Sequence, residues 1–563
     1  MRGQVIATRA FACHSAGMTK LALLLAALPA LALAQTAHFD PARLSDHVEI
    51  LASDAYDGRA PASSAEAKVI DYVVGQLKAA GVQPGGQMRD GKRSWTQDVP
   101  LLHTVFVGAP AITLTSGGKP IALTQGEQIA LRAPLNGETT LNLKDVPLVF
   151  VGYGVSAPER NWDDFKGVDV KGKLLILLVN DPDFETGQGD FGGKAMTYYG
   201  RWTYKYEEAA RRGAAGVLIV HEREPASYGW ATVKNSNTND MFDIVRKDPK
   251  ASHTPFESWI QRDLAVKLFA DSGLDFEAEK KAAQRRDFKP VPLKATLSAD
   301  AKVDVATIVS HNIAGRIVGS KYPNETLVYS AHWDHLGVGA PDAKGDRIYN
   351  GAVDNADGIS VLLEMARAFA HGPRPQRSIL FLAVTAEERG LLGSEYYAAN
   401  PLYPLGTTVG MLNTDALSTA GPARDFSISG SAKLDLLDDL IAEGKKQGRS
   451  FTPDAHPEAG SFYRSDHFTL AKRGVPAISI ESGEDLVNGG RAAGRAEAEA
   501  YTRDKYHQPA DEWSPAWNAA GQVQDGELLF ALGKRLANSR EWPNWSQDSE
   551  FRAERDKTAA ARK

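Results

Sequence analysis

Two histidines, three carboxylates suited to a metal and one further glutamate stand in five short polar stretches of this chain. They are SAHWDH around His332, GAVDNADG around Asp354, TAEERG around Glu387 and Glu388, NTDA around Asp415, and YHQPADEW around His507. Two imidazoles and three carboxylates are what a pair of Zn²⁺ ions would need as protein ligands, and the remaining glutamate could act as general base. The inventory points to a metallohydrolase.

Within the motifs, spacing suggests roles. His332 and Asp334 are two residues apart, so on a persisting strand they share a face. His332 would bind metal while Asp334 accepts a hydrogen bond from its imidazole; His335, next in sequence, is the competing ligand. Asp354 lies in a Gly-rich turn before ISVLLEMARAFA, whose apolar spacing is helical. Held there, it could give one oxygen to each of two ions, whereas Asp357 reads as the helix N-cap. Glu387 and Glu388 are adjacent and must diverge, so one can bind metal while the other takes a proton from water. Asp415 would complete the ion held by His332. Singly, each has a plain alternative: a core histidine, a capping aspartate, a solvated glutamate pair.

The setting argues for chemistry. TLVYSA before His332, SILFLAVT before Glu387 and TVGMLN before Asp415 are short apolar runs rich in β-branched residues, as buried parallel strands are. Ligands bind at the carboxyl ends of strands in open α/β sheets. The expected fold is α/β, a mostly parallel sheet with helices on both faces and a β-rich insertion.

A chain of 563 residues with 43% hydrophobic content can bury a large core. Residues 1–34 read as a signal peptide: Lys20 precedes the apolar run Leu21–Ala34, which ends in Ala-Leu-Ala before Gln35. That run is too short to span a bilayer, and Met18 stands where such a segment would begin. Cys13, the only cysteine, falls inside it, so the mature chain should have no disulfide. Gln35 occupies the place where a lipid anchor would need Cys, so no membrane anchor is expected. An exported protein, periplasmic or secreted, follows. Losing Arg2, Arg9 and Lys20 from the 64 basic residues leaves 61 against 70 acidic ones, a net charge near −9 that disfavours nucleic acid.

Residues 35–105 and 296–540 are read as two segments of one catalytic domain, 106–295 as an insertion, and 541–563 as a fraying helix or tail. The insertion opens with AITLTSGGKPIALT, a hairpin signature, and continues through VPLVFVGYGV, KLLILLVNDP and AGVLIVHE as strands, with YKYEEAARRGA helical. On VGYGV, DFKGVDVKGKLLILLVNDP and AARRGAAGVLIV it resembles the protease-associated domain, either a structural module or a wall over the active site.

HWDH, NGAVDNADG, TAEERGLLGSEYY and YHQPADEW, in that order, resemble the co-catalytic di-zinc peptidase family that includes secreted bacterial leucyl aminopeptidases, glutamate carboxypeptidase II and the non-catalytic transferrin receptor. The resemblance implies two zinc ions bridged by Asp354, one completed by His332 and Asp415, the other by Glu388 and His507. It makes Glu387 the general base and Asp334 the partner of His332, and implies a cis peptide between Asp354 and Asn355. SFYRSDHFTLAKRGVPAISIES resembles the family's Ser-Asp-His stretch, where Tyr463 would either hydrogen-bond the oxyanion or pack in the core, and Asp466 and His467 would be structural. The implied activity is an aminopeptidase acting on peptides. A carboxypeptidase would need Arg for the terminal carboxylate, with Arg464, Arg491 and Arg495 available; a glutaminyl cyclase or a receptor-like protein fits less well.

Overall fold

The computed structural model describes residues 39–562. The expected signal segment, with Cys13, Met18 and Gln35, lies outside the described residues. No described helix is long and apolar enough to cross a membrane.

Helix α1 (Ser64–Ala79) buries Val69, Val73, Val74 and Leu77 on one face, and the Ser63 side chain caps it by accepting from the Ala65 N–H. Strand β1 (Thr96–Phe106) leads to a hairpin of β2 (Ala111–Ser116) and β3 (Lys119–Leu123). Gly117 and Gly118 turn it at φ 56° and 75°, conformations open to glycine. Then follow β4 (Thr140–Phe150), β5 (Leu174–Leu178), helix α2 (Trp202–Arg211), β6 (Gly216–His221), β7 (Met241–Ile244) and β8 (Phe256–Gln261). β4, β5, β6 and β8 are successive parallel neighbours. β5 and β6 are buried at every position, which is why LLILL and GVLIVH are uninterrupted apolar runs.

Strand β9 (Val291–Ile317) joins this layer to the next. Its first half pairs with β2 and β4, and its second half pairs antiparallel with β1 and, near its end, with β11 (Arg377–Val384). Between them run β10 (Tyr322–His332) and helix α3 (Gly358–His371), and after β11 come β12 (Thr408–Thr414), β13 (Asp425–Ile428) and β14 (Ala477–Ser482). β11, β10, β12 and β14 are parallel neighbours in that order and form the centre of the sheet. β13 pairs antiparallel with β14 on the far side and carries the two-residue strand Ser450–Phe451 beyond it. Helices α4 (Gly490–Asp504), α5 (Ala520–Ala537) and the short α6 (Arg552–Asp556) complete the chain. Leu327, Val328, Leu380, Leu382, Leu412 and Ile478 from the central strands pack with Leu362 and Phe369 of α3 and Leu529 and Leu532 of α5 into one core. The fold is α/β with a mostly parallel central sheet.

Two features depart from the sequence reading. The boundary expected after residue 295 falls inside β9, and β7, from the same segment, pairs with β1 of the central sheet. Backbone hydrogen bonds therefore run through the junction. The C-terminal segment is packed, not frayed: Trp545 is buried, donates its indole N–H to the Gly474 carbonyl and stacks near Phe551, while Arg555 donates to the Thr408 carbonyl. WPNW and its neighbours supply the aromatic surface that holds it.

An ionic seam accompanies β7. His253 lies 3.0 Å from Asp243 and 3.0 Å from Glu257, and Arg246 donates to both Asp243 and Glu395. Burial opposes the charge on His253, but Glu257 and Asp243 outweigh it and raise its pKa to about 9. A raised folded pKa means stability that is whole below the unfolded value near 6.5 and is lost as pH rises through about 9. His253→Gln should therefore lower the unfolding free energy by roughly 3 kcal/mol at pH 6 and by little at pH 10, as read from denaturant melts of the two proteins at both pH values.

Candidate metal centre and active site

The carboxyl ends of β10, β11 and β12 deliver His332, Glu387 with Glu388, and Asp415, and the turn before α3 delivers Asp354. The chain kinks at each delivery. Ala386, Ala416 and His507 adopt φ of 53°, 52° and 57°, a left-handed region that non-glycine residues rarely enter, and Gly351 stands at 57° ahead of Asp354. Strain of this kind persists where surrounding contacts enforce it, and it collects at functional sites. The Asp354–Asn355 peptide is cis.

All five expected ligands converge. His332 Nε2 lies 3.2 Å from Asp354 Oδ1 and 3.2 Å from Asp415 Oδ1. His507 Nε2 lies 3.2 Å from Asp354 Oδ2 and 3.1 Å from Glu388 Oε2. The two oxygens of Asp354 thus face two different imidazoles. Ligand atoms at zinc bond lengths of about 2.0–2.1 Å in a tetrahedron stand roughly 3.3 Å apart, so these spacings fit an ion in each group. His335 also reaches the second group. Its Nδ1 is 2.6 Å from Glu388 Oε1 but off the hydrogen-bonding direction, and both atoms are buried without a hydrogen-bond partner. Such orphaned donors and acceptors suit an absent cation. Glu387 stands beside the first group, 3.9 Å from His332 Nε2 and outside both ligand sets.

The surrounding contacts fix each group. His332 Nδ1–H donates to the Asp334 carbonyl at 3.1 Å, which leaves Nε2 bare for a metal. The expected bond to the Asp334 carboxylate is not made; that oxygen is 3.7 Å away. The carboxylate instead accepts the backbone N–H groups of Glu387 and Glu388, at 3.1 and 3.4 Å, because the left-handed turn at Ala386 aims both amides at it. Asp357 occupies the N-cap position but caps nothing with its side chain; it accepts from Gln522 Nε2. Tyr463 is turned away from an oxyanion role. Its hydroxyl donates to the Met196 carbonyl at 3.2 Å and to Glu550 at 3.3 Å, within a cluster of Tyr198, Phe462 and Phe468. Asp466 and His467 are fully buried outside the ligand groups.

Four positioning residues went unread in the sequence. Arg59, 1% exposed, donates to the carbonyls of Trp333, Leu51, Asn350 and Gly351, pinning the backbone ahead of both His335 and Asp354. Asp511 accepts the N–H groups of Val353 and Asp354, each at 3.1 Å. Ser465 donates to Asp415 Oδ2 at 2.6 Å. Tyr506 stacks on His507 with ring centres 3.9 Å apart. Although 43% of its surface is exposed, desolvation at the phenol, and then the charges of Asp354, Glu388, Glu387 and Asp415, hold the group well above the usual range, so it remains an O–H donor. Asp511 and Tyr506 sit in YHQPADEW, where the histidine alone drew attention; Arg59 in DGRAP carries no signal of its type or spacing.

Electrostatics match a site built for cations. Burial disfavours charge on His332, yet Asp415 and Glu387 raise its pKa well above 6.5, and Glu388 and Asp354 likewise overcome burial to lift His507 to about 10. Burial, reinforced by Asp415 and Glu388 against His332, raises Glu387 well above the usual carboxylate range. Burial also lifts Asp334, to about 6. Protons on the imidazoles hold the carboxylates together without metal, and a metal must displace them.

Zinc binding at pH 7 should therefore release about two protons per chain, measured by calorimetry in buffers of different ionisation enthalpy. Asp354→Ala should lose both ions in metal analysis, because it removes an oxygen from each group. His507→Ala should lose mainly one. An unaltered stoichiometry in Asp354→Ala would remove the shared carboxylate from the account.

Residues 312–531 match the model of peptidase family M28. A probable zinc metalloprotease of Pyrenophora tritici-repentis is 34% identical over 118 residues, 21% of this chain and 25% of the relative. Carboxypeptidase Q of Bos taurus is 26% identical over 208 residues, 34% of this chain and 40% of the relative. The matches thus span about a quarter to two-fifths of these relatives' length. Among solved structures, the aminopeptidase from Aneurinibacillus sp. strain AM-1 aligns over 90% of this chain and 96% of its own at 19% identity, with TM-score 0.48. A zinc aminopeptidase from Bacillus subtilis aligns over 89% and 96% at 20% identity, with TM-score 0.41. The matched segment 312–531 spans about two-fifths of the chain and carries every expected metal ligand, so it is this part of the chain that is similar to peptidase family M28.

Proposed function

We propose that this chain is an exported di-zinc exopeptidase that removes residues from the amino end of peptides. The observation that carries the reading is Asp354, whose two oxygens each stand 3.2 Å from a different histidine while Glu387 waits beside them outside both ligand groups. His332, Asp354 and Asp415 would hold one ion; Asp354, Glu388 and His507 would hold the other, with His335 against Glu388. Bound there, the ions would acidify a water and polarise the scissile carbonyl.

The chain's own groups supply the rest. Glu387 takes the proton of the attacking water and returns it to the leaving amine, a transfer suited to a carboxylate whose pKa its surroundings raise. Asp334 holds Glu387 and Glu388 on diverging courses through their amides. Tyr506, protonated and beside His507, is the donor placed to stabilise the oxyanion, the work first expected of Tyr463.

The choice of the amino end rests on charge. Of the three candidate arginines, Arg491 is paired with Asp425 and Arg495 with Glu484, and Arg464, which has no carboxylate partner among the described residues, donates to the Ala459 carbonyl. Glu481, at the end of β14, accepts from Ser429 and feels Asp454, Asp415 and Glu484, and burial with these charges lifts it to about 7. The carboxylates of Asp354, Asp415, Glu387 and Glu388 gathered at the centre give the site a negative field, which favours an ammonium terminus. The layer built from residues 106–295 resembles a protease-associated domain and would wall the cleft. Export would follow from the leader-like residues 1–34.

Glu387→Gln keeps shape and removes the base, so kcat on an aminoacyl anilide should fall at least ~10²-fold with zinc content near normal. Glu388→Gln should lower zinc content, since an amide is a poor ligand. The reverse pattern would exchange the two roles. Faster hydrolysis of N-blocked peptides ending in Glu than of free-amine anilides would overturn the amino-end reading.

A further inference from the structure

Two buried histidines among the described residues have neither ring nitrogen in a hydrogen bond, His335 and His467. Their surroundings differ. His467 meets the Phe462 ring edge-on at 4.7 Å and stands outside both groups of ligand atoms, so packing accounts for it. His335 is 1% exposed and has carboxylates for neighbours: its Nδ1 is 2.6 Å from Glu388 Oε1. One of its nitrogens also lies with an oxygen of Asp354 and an oxygen of Glu388 in a set of atoms all within 4.8 Å of one another. Glu388 Oε1 is likewise buried and without a hydrogen bond. Polar atoms left idle in the interior are costly, and a cation shared between imidazole and carboxylate relieves both.

The fold builds a seat for this ring. A Cβ on Gly351 would stand 2.5 Å from His335 Cγ and 2.7 Å from Cδ2, so only glycine lets the Asp354 turn close over the imidazole. Arg59 ties the two together: its carbonyl accepts the His335 N–H at 3.2 Å while its guanidinium holds the carbonyls of Asn350 and Gly351. The rings of His335 and His507 have centres 5.8 Å apart at 71°. Glu388 meets both imidazoles, with Oε2 3.1 Å from His507 Nε2 and Oε1 against His335. The 2.6 Å spacing is tighter than the roughly 3.3 Å between tetrahedral neighbours, as happens where one carboxylate gives both oxygens to an ion and coordination rises to five.

We propose that His335 is a ligand of the second ion, beside Asp354, Glu388 and His507, and that this ion is thereby the more tightly held of the two. The proposal rests on the di-zinc reading and deepens it. His332, Asp354 and Asp415 remain a set of three, and Glu387 stands beside that set, 3.9 Å from His332 Nε2. Zinc sites closed by four protein ligands are structural, and sites with three keep room for water and substrate. His335 thus assigns anchoring to the four-residue set and reaction to the three-residue set that the base flanks.

Two measurements test this without turnover. In crystals of the zinc-loaded protein, a His335 nitrogen should lie about 2.0–2.1 Å from the second ion, the length of a zinc–imidazole bond. A nitrogen that hydrogen-bonds Glu388 and stands beyond reach of the ion would overturn the assignment, whatever the variants do. In solution, competition between the metal-free protein and a chromophoric chelator should resolve one tight and one weak zinc. His335→Gln should weaken the tight one at least ~10²-fold, at or above the upper end of the roughly 10–100-fold that residues merely orienting a ligand command, and leave the weak one near its parent value. Because glutamine keeps an N–H able to reach Glu388, a tight zinc retained in His335→Gln would assign the residue to hydrogen bonding and sink the proposal. Two zinc ions of equal affinity in the parent would do the same. Hydrolysis and zinc content of the parent separate this inference from the wider reading: an active di-zinc protein in which His335 stands off the metal loses only the inference, whereas a parent that binds no zinc loses both.

Discussion

One carboxylate shared between two imidazoles governs this molecule. Asp354 places each oxygen 3.2 Å from a different histidine nitrogen, and Asp415, Glu387 and Glu388 crowd around the same space. Four carboxylates packed together in a buried cleft repel one another unless cations separate them. In the ion-free state the cations are protonated imidazoles, which is why His332 and His507 hold their protons so firmly. The arrangement that suits zinc is therefore kept in shape without it, and loading becomes an exchange of protons for metal.

Repulsion of that order has to be resisted by backbone that cannot relax. Asp511 anchors the Asp354 turn through two amides, Asp334 anchors the glutamate turn through two more, and Arg59 locks the carbonyls that precede His335 and Asp354. Each anchor joins segments remote in sequence, so the centre exists only when the whole sheet has formed. The left-handed residues at Ala386, Ala416 and His507 show the same logic at single positions: strand ends are bent against their preference to aim ligands inward.

The sequence made His332, Glu388 and Asp415 legible because each follows an apolar run that reads as a buried strand, whereas Asp354 and His507 were legible from a Gly-rich turn and from the family resemblance. What hid was whatever depends on direction in space. Asp334 was assigned to its near neighbour in sequence, His332, yet its carboxylate serves amides of another strand end more than fifty positions away. Tyr463 and Tyr506 are both tyrosines next to motif residues, and nothing in type or spacing says that the first is drawn into an aromatic cluster with Glu550 while the second stacks on a ligand. Arg59 and the packed C-terminal segment hid for a related reason: their partners are backbone carbonyls, which leave no trace in residue type.

The contrast among the arginines extends this point. Arg59 is buried at a modest net cost because four carbonyls replace its water, and its pKa falls only to about 10, with burial the main cause and Asp511 and Asp354 opposing it. Arg201 reaches a similar value with no carboxylate in support and with Arg464 adding to the burden. Arg59 is thus integrated by backbone acceptors in the interior, whereas Arg201 keeps part of its surface in solvent.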